Sequence, residues 1–227
     1  MPLLPFNWHA YDAYLFDIDG TLLNTRDGVH YNSFHSALSQ VYGCEGRIDD
    51  VPVHGNTDIG ILRAALKHHT SLPDGEFEAR LPEALEMMRA EVEHNADRIH
   101  PELCPSIAEL LAALHTEGKL LGVVTGNLER IGWCKLERAG IRKYFDFGSF
   151  SDIREKREDI FRHGVAEARR LRGLETSVCF VGDTPADIRA ASNVGMPLIA
   201  VATGIYAREQ LAEHGPPLCV QTVAELL

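Results

Sequence analysis

The sequence predicts an α/β protein, a Rossmann-like parallel sheet core with an inserted helical cap domain, and three observations carry that prediction. Tyr14-Leu15-Phe16 leads into Asp17-Ile18-Asp19-Gly20-Thr21, Leu120 to Val124 leads into Thr125-Gly126-Asn127, and Ser177 to Val181 leads into Gly182-Asp183-Thr184-Pro185-Ala186-Asp187. Each short apolar run reads as a strand covered on both faces, and each ends in a polar cluster. Helical periodicity follows at Glu129 to Ala139 and Pro185 to Val194, the alternation that builds a parallel sheet through right-handed crossovers. Ligands of such sheets bind beyond the carboxyl ends of the strands, so neighbouring strands would bring the three clusters together. Residue alternation turns Asp17 and Asp19 the same way.

The elements follow in chain order. From Thr21 to Leu120 the chain is far longer than a crossover needs, which implies an insertion. Its content is helical: Tyr31 to Tyr42 repeats apolar residues at Tyr31, Phe34, Leu38 and Val41, and Asp58 to His69 and Glu76 to Glu93 follow the same period. Gly43, Pro52, Gly55 and Pro73 separate them. The cap is placed at residues 24–98 and the core at residues 1–23 and 99–227, with hinges around Leu23 to Asp27 and Asp97 to Pro101. Ser106 to Gly118 reads as a core helix, with a stripe of Ile107, Leu110, Leu111 and Leu114 and Gly118 as its stop. Short strands are expected at Phe145 to Ser149, Leu198 to Val201 and Cys219-Val220, and a helix over Arg154 to Arg172.

The 227 residues carry 22 Lys plus Arg against 33 Asp plus Glu, a formal net charge of −11. That balance speaks against nucleic acid or an anionic membrane as partner, and an anionic substrate would need a metal or a focused Lys or Arg. Cys44, Cys104, Cys134, Cys179 and Cys219 form no metal-binding spacing, and their odd number argues against a disulfide framework. Reduced thiols fit a cytoplasmic location. Met1 to Ala10 shows no secretory signal, and no run reaches membrane-spanning length. Oligomeric state is not set by the sequence.

Paired aspartates beside a third acidic cluster suit a hard divalent cation such as Mg²⁺, which takes one or two carboxylates, waters and phosphate oxygens. With charge neutralised locally, one aspartate can attack phosphorus to give an aspartyl-phosphate, and the second can pass a proton to the leaving oxygen. The plainer alternative is a strand-to-turn junction in which Asp17 and Asp19 cap backbone amides.

Taken together, Asp17-Ile18-Asp19-Gly20-Thr21, Thr125 after its strand, a downstream lysine and Gly182-Asp183-Thr184-Pro185-Ala186-Asp187 resemble the four motifs of the haloacid dehalogenase-like hydrolase superfamily. The position of the insert resembles the branch that contains phosphoglycolate phosphatases and β-phosphoglucomutases. The resemblance implies that Asp17 is nucleophile and metal ligand, that Asp19 is general acid and base and binds the metal through its carbonyl, and that Thr125 binds the phosphoryl group. It further implies Asp183 as metal ligand and Asp187 as metal support or as orienter of the basic residue. Because Asp19 is present, where true haloacid dehalogenases lack this acid, phosphoryl chemistry is implied. The family's Lys-Pro pair is replaced by Arg154-Glu155-Lys156-Arg157-Glu158-Asp159; Lys156 is the first choice for the basic residue, with Arg157 and Arg154 as alternatives. A lysine ammonium suits the neutralisation of phosphoryl oxygens.

Gly20, Thr21, Gly126 and Asn127 are further expected around the phosphoryl group. Substrate choice belongs to the cap, where Arg26, His30, His54, Asn56 and Thr57 are candidates, although Thr57 or Asp58 equally suits a helix cap, as Thr125 does. The reading is a Mg²⁺-dependent phosphatase for a small, phosphoglycolate-like metabolite. Its rivals are a sugar phosphomutase and a noncatalytic interaction protein on the same fold.

Overall fold

In the computed structural model, which describes residues 6–227, six parallel strands form one sheet: β1 (Ala13–Phe16), β4 (Leu120–Val124), β5 (Phe147–Ser149), β6 (Val178–Gly182), β7 (Leu198–Val201) and β8 (Leu218–Val220). Their spatial order is β5-β4-β1-β6-β7-β8. Phe16 stands in register with Val123 on one side and Val181 on the other, so the segments after β1, β4 and β6 emerge side by side. The expected α/β class is therefore observed. Half of the N-terminal stretch read for a secretory signal, residues 1–5, lies outside the described residues.

Alternation along β1 serves two apolar layers. Tyr14 and Phe16 join a cluster with Leu110, Leu111, Leu114 and Leu136, whereas Ala13 and Leu15 join Ile160, Phe161, Phe180 and Leu211. The first layer is closed by α4 (Ile107–Thr116) and α5 (Glu129–Arg138), the second by α6 (Arg157–Arg172), α7 (Pro185–Asn193) and the short α8 (Arg208–Ala212). Both faces of the sheet are thus covered, which is why its strands read as apolar runs rather than alternating ones.

Between β1 and β4 lie β2 (Leu23–Asn24), α1 (Val29–Tyr42), α2 (Asp58–His69), α3 (Asp74–His94) and β3 (Glu102–Leu103). β2 and β3 pair antiparallel, so the two chain segments joining the insert to the sheet lie together. Asp27 ties them further, accepting from Val29 N–H (2.9 Å) and His100 N–H (3.1 Å).

The helical insert is packed onto the sheet domain. Leu128 and Ile131, at the start of α5, are fully buried in the insert's own cluster with Leu38, Leu62, Ala84 and Met88, while Leu136 of the same helix joins the sheet core. Leu128→Ala is expected to cost about 2–5 kcal/mol, read as a lower denaturant midpoint.

Candidate active site

The three strand ends converge as their order requires. Asp17 continues β1, donating its N–H to Val181 O (3.0 Å), and Gly20 then turns the chain with φ +86°. That left-handed backbone suits glycine, and a Cβ there would lie 2.2 Å from Asp183 Oδ2. Thr21 donates through Oγ1 to Asp183 Oδ1 (3.0 Å). The first and fourth motifs are thereby locked face to face.

After β6, Thr184 and Asp187 form a capping box at the start of α7. Asp187 Oδ2 accepts from Thr184 N–H (3.0 Å) and Thr184 Oγ1 (2.6 Å). Its Oδ1 accepts from Arg157 Nε (2.7 Å) and Nη2 (2.6 Å), and the same Nη2 reaches Asp17 Oδ1 at 3.0 Å. Arg157 thus bridges the candidate nucleophile Asp17 and Asp187 of the α7 capping box.

A second network surrounds Asp19. Lys135 of α5, only 2% exposed, donates through Nζ to Asp19 Oδ1, Asp19 Oδ2 and Asn127 Oδ1, each at 2.8 Å. Asn127 Nδ2 donates to Asp19 Oδ2 and to Thr125 Oγ1, both at 2.8 Å. The insert closes over these groups: Asp58 N–H donates to Gly126 O (2.8 Å), Asp58 Oδ2 accepts from Leu128 N–H (2.8 Å), and His30 Nε2 lies 3.2 Å from that oxygen. Thr57 Oγ1 donates to Glu155 O (2.7 Å), and Arg63 Nε pairs with Glu155 Oε1 (2.6 Å). Between insert and sheet remains a cavity of about 260 Å³.

The structure sorts the sequence-predicted residues. Asp17, Asp19, Thr125, Gly126, Asn127, Asp183, His54 and Asn56 line the cavity. Gly20 and Thr21 instead build the turn behind it, and Asp187 lies behind Arg157. Thr57 caps α2, accepting from Gly60 N–H (3.1 Å), so its expected place at the substrate is not observed. Arg26 points to the surface, because it lies on the exposed side of the linker. Thr125 is not a cap, since α5 starts at Glu129 with Leu128 in the N-cap position and no side-chain bond there.

Lys156 is corrected to Arg157 as the basic residue beside Asp17. Lys156 precedes α6 and is exposed, whereas Arg157 falls at the start of the buried stripe that continues through Phe161, Gly164 and Ala168. That i, i+4, i+7, i+11 spacing was available in the sequence. Lys135 was missed altogether. Its signal was a lysine on the stripe of Ile131, Gly132 and Leu136, where unpaired lysine is almost never found.

Charge is unevenly shared. Burial pushes the Asp17 carboxyl up to about 7, against the pull of Arg157 and with the help of Asp187 and Asp19. Burial likewise raises Asp183, and Asp17 and Asp187 add to it. Asp19 behaves oppositely: burial alone would raise it, but the Lys135 charge and the bonds from Lys135 and Asn127 hold it below the usual carboxylate range. Asp17, Asp183 and Asp187 each offer an oxygen within 4.8 Å of the others, with one guanidinium among them. Such a surplus of buried hard oxygen fits a divalent cation of the Mg²⁺ kind.

This crowding sets a pH dependence. A carboxyl raised from its unfolded value of 3.8 to about 7 contributes stability below pH 3.8 that is lost as pH rises through 7. Without metal, the protein is expected to lose on the order of a few kcal/mol between pH 5 and pH 8, seen as a falling melting temperature in EDTA. Added Mg²⁺ should restore it above pH 7.

The sequence profile of the haloacid dehalogenase-like hydrolase family matches residues 14–201. The chain belongs to that family. A phosphoglycolate phosphatase of Agrobacterium fabrum is 27% identical over 93% of this chain and 89% of its own length. Among solved structures, CbbY from Rhodobacter sphaeroides in complex with phosphate has a TM-score of 0.68 at 22% identity, covering 95% of this chain and 96% of that one. A β-phosphoglucomutase from Clostridium difficile has a TM-score of 0.66 at 18% identity, covering 96% and 93%. These structures share the fold of this member of the family. Among the described residues no helix is long and apolar enough to cross a membrane.

Proposed function

We propose that this family member is a Mg²⁺-dependent phosphatase that hydrolyses a small phosphorylated metabolite through an aspartyl-phosphate, with the helical insert as its cap. The observation that carries the reading is the pairing of two aspartates in opposite electrostatic settings on one cavity: Asp17 bridged to Arg157, and Asp19 held by Lys135 and Asn127. A divalent metal held by Asp17 would draw its raised carboxyl back down and leave it ionised for attack, so the two carboxyls suit two different roles.

Asp17 attacks phosphorus as its carboxylate, forming a new P–O bond as the bond to the leaving oxygen breaks, and Asp19, which takes up a proton as the substrate binds beside it, passes that proton to the leaving oxygen. Asp19 next takes a proton from water as the water attacks phosphorus, releasing phosphate and regenerating Asp17. Arg157 holds Asp17 in place and compensates phosphoryl charge, while Thr125 and Asn127 present hydrogen-bonding groups to the phosphoryl oxygens. Asp17, Asp183 and the Asp19 carbonyl would hold Mg²⁺, whose chemistry is to neutralise charge on nucleophile and phosphoryl group. Asp187, with both oxygens engaged, positions Arg157. The Agrobacterium relative is named for phosphoglycolate, and a phosphoglycolate-like size suits this cavity. Five unpaired cysteines fit a cytoplasmic enzyme.

Phosphate release from a panel of phosphomonoesters, with Mg²⁺ or with EDTA, tests the reading. Mg²⁺-dependent release supports it. A sugar phosphate rearranged without free phosphate would make the protein a mutase, and no reaction at all would leave a noncatalytic fold.

A further inference from the structure

The cavity is built for more than a phosphoryl group. Its walls from the cap include Tyr31, Phe34, Ile48, Val53 and Ile61, an aromatic and aliphatic lining, with His30, His54 and Asn56 as imidazole and amide groups. The cap contributes no Lys or Arg to this lining. Its charged wall residue is Asp58, whose Oδ2 is already held by His30 and Leu128. Asp27, on the linker, is occupied by two backbone N–H groups.

The two fixed cations on the cavity are both core residues and both engaged. Lys135 uses its donors on Asp19 and Asn127, and Arg157 spans Asp17 and Asp187. Five carboxylates face these two cations around the lining. A divalent metal entering with a phosphoryl dianion offsets that dianion and leaves the surplus of carboxylate around the lining uncompensated. A second anionic group on the substrate would then lie against aliphatic side chains and Asp58, with imidazole and amide groups but no fixed cation to pair with.

We infer that the phosphatase acts on the monophosphate of a small uncharged alcohol, one with an apolar flank and a hydroxyl or amide that His30, His54 or Asn56 can bond, rather than on a phosphorylated acid or a bisphosphate. This inference rests on the phosphatase reading for its reaction and on the cavity lining for its choice of substrate. His30, oriented by Asp58, is the specificity residue on the cap side.

The discriminating pair is phosphoglycolate and its primary amide, carbamoylmethyl phosphate, which match in size and differ by one charge. The wild type is expected to hydrolyse the amide with kcat/KM about 100-fold above that of the acid, the scale of a like-charge mismatch in a closed site. Calorimetric Kd values with Asp17→Asn and Mg²⁺ measure the same preference without turnover. Equal values, a preference for the acid, or binding of neither ester would overturn the inference. Amide-selective binding without phosphate release would sustain it and sink the hydrolytic reading instead. Val53→Arg, a change on a half-buried loop residue, should narrow the gap at least 10-fold by supplying the missing cation; a gap left unchanged would count against the assignment.

Discussion

Asp17→Asn is expected to lower Mg²⁺-dependent phosphate release on the order of 10⁴-fold or more, because an amide cannot form the aspartyl-phosphate. The same substitution should stabilise the metal-free protein at pH 8. Asp17 is a carboxyl pushed up to about 7 by burial and by its acidic neighbours, so ionising it above pH 7 works against folding. Asparagine has the same shape and does not titrate, and Arg157 keeps Asp187 as partner. In EDTA the melting temperature of the variant should therefore exceed that of the wild type at pH 8 and match it more closely at pH 5. Loss of activity with gain of stability marks a site where charge is crowded for function. A variant within 10-fold of wild-type activity would remove Asp17 from the nucleophile's role, and one less stable than wild type at pH 8 in EDTA would refute the crowding.

Much of the sheet was legible because its strands are buried on both faces and bounded by turn chemistry. Leu120 to Val124 could hardly be anything else beside Thr125-Gly126-Asn127, and Asp58 to His69 was read to its ends because Thr57 caps it and its apolar period is regular. The β2 and β3 pairing escaped notice because two residues on each side carry no periodicity, and their contact joins positions far apart in sequence. α8 is too short for a period to show. In the site, residues at strand ends were found from local order alone, whereas Lys135 and Arg157 reach the same aspartates from helices. A helix brings a charge into a core through its rotational phase, so each of these residues had to be recognised as a cation out of place on an apolar stripe. The cap wall of Phe34, Ile48 and Ile61 was invisible for a further reason: such residues read only as the insert's own core until the insert is docked on the sheet.

Arg157→Met and Lys156→Met separate two adjacent cations by the environment each one occupies. Removing Arg157 leaves Asp17 and Asp187 facing each other in the protein interior without the guanidinium that bridges them. Breaking a buried pair from one side costs about 3–5 kcal/mol, and the loss should be greatest in EDTA above pH 7, where Asp17 would otherwise ionise. Activity should fall by about 10²–10³-fold, the scale of losing a preorganised charge at a reacting group. Arg157→Lys should recover part of the stability but less of the rate, because one ammonium cannot span both carboxylates as a planar fork does. Lys156, exposed ahead of α6, should tolerate methionine within about 0.5 kcal/mol with phosphate release unchanged. The reverse ranking would return the role to Lys156 and imply that α6 turns about its axis when substrate enters, since the present phase directs Arg157 and not Lys156 toward Asp17.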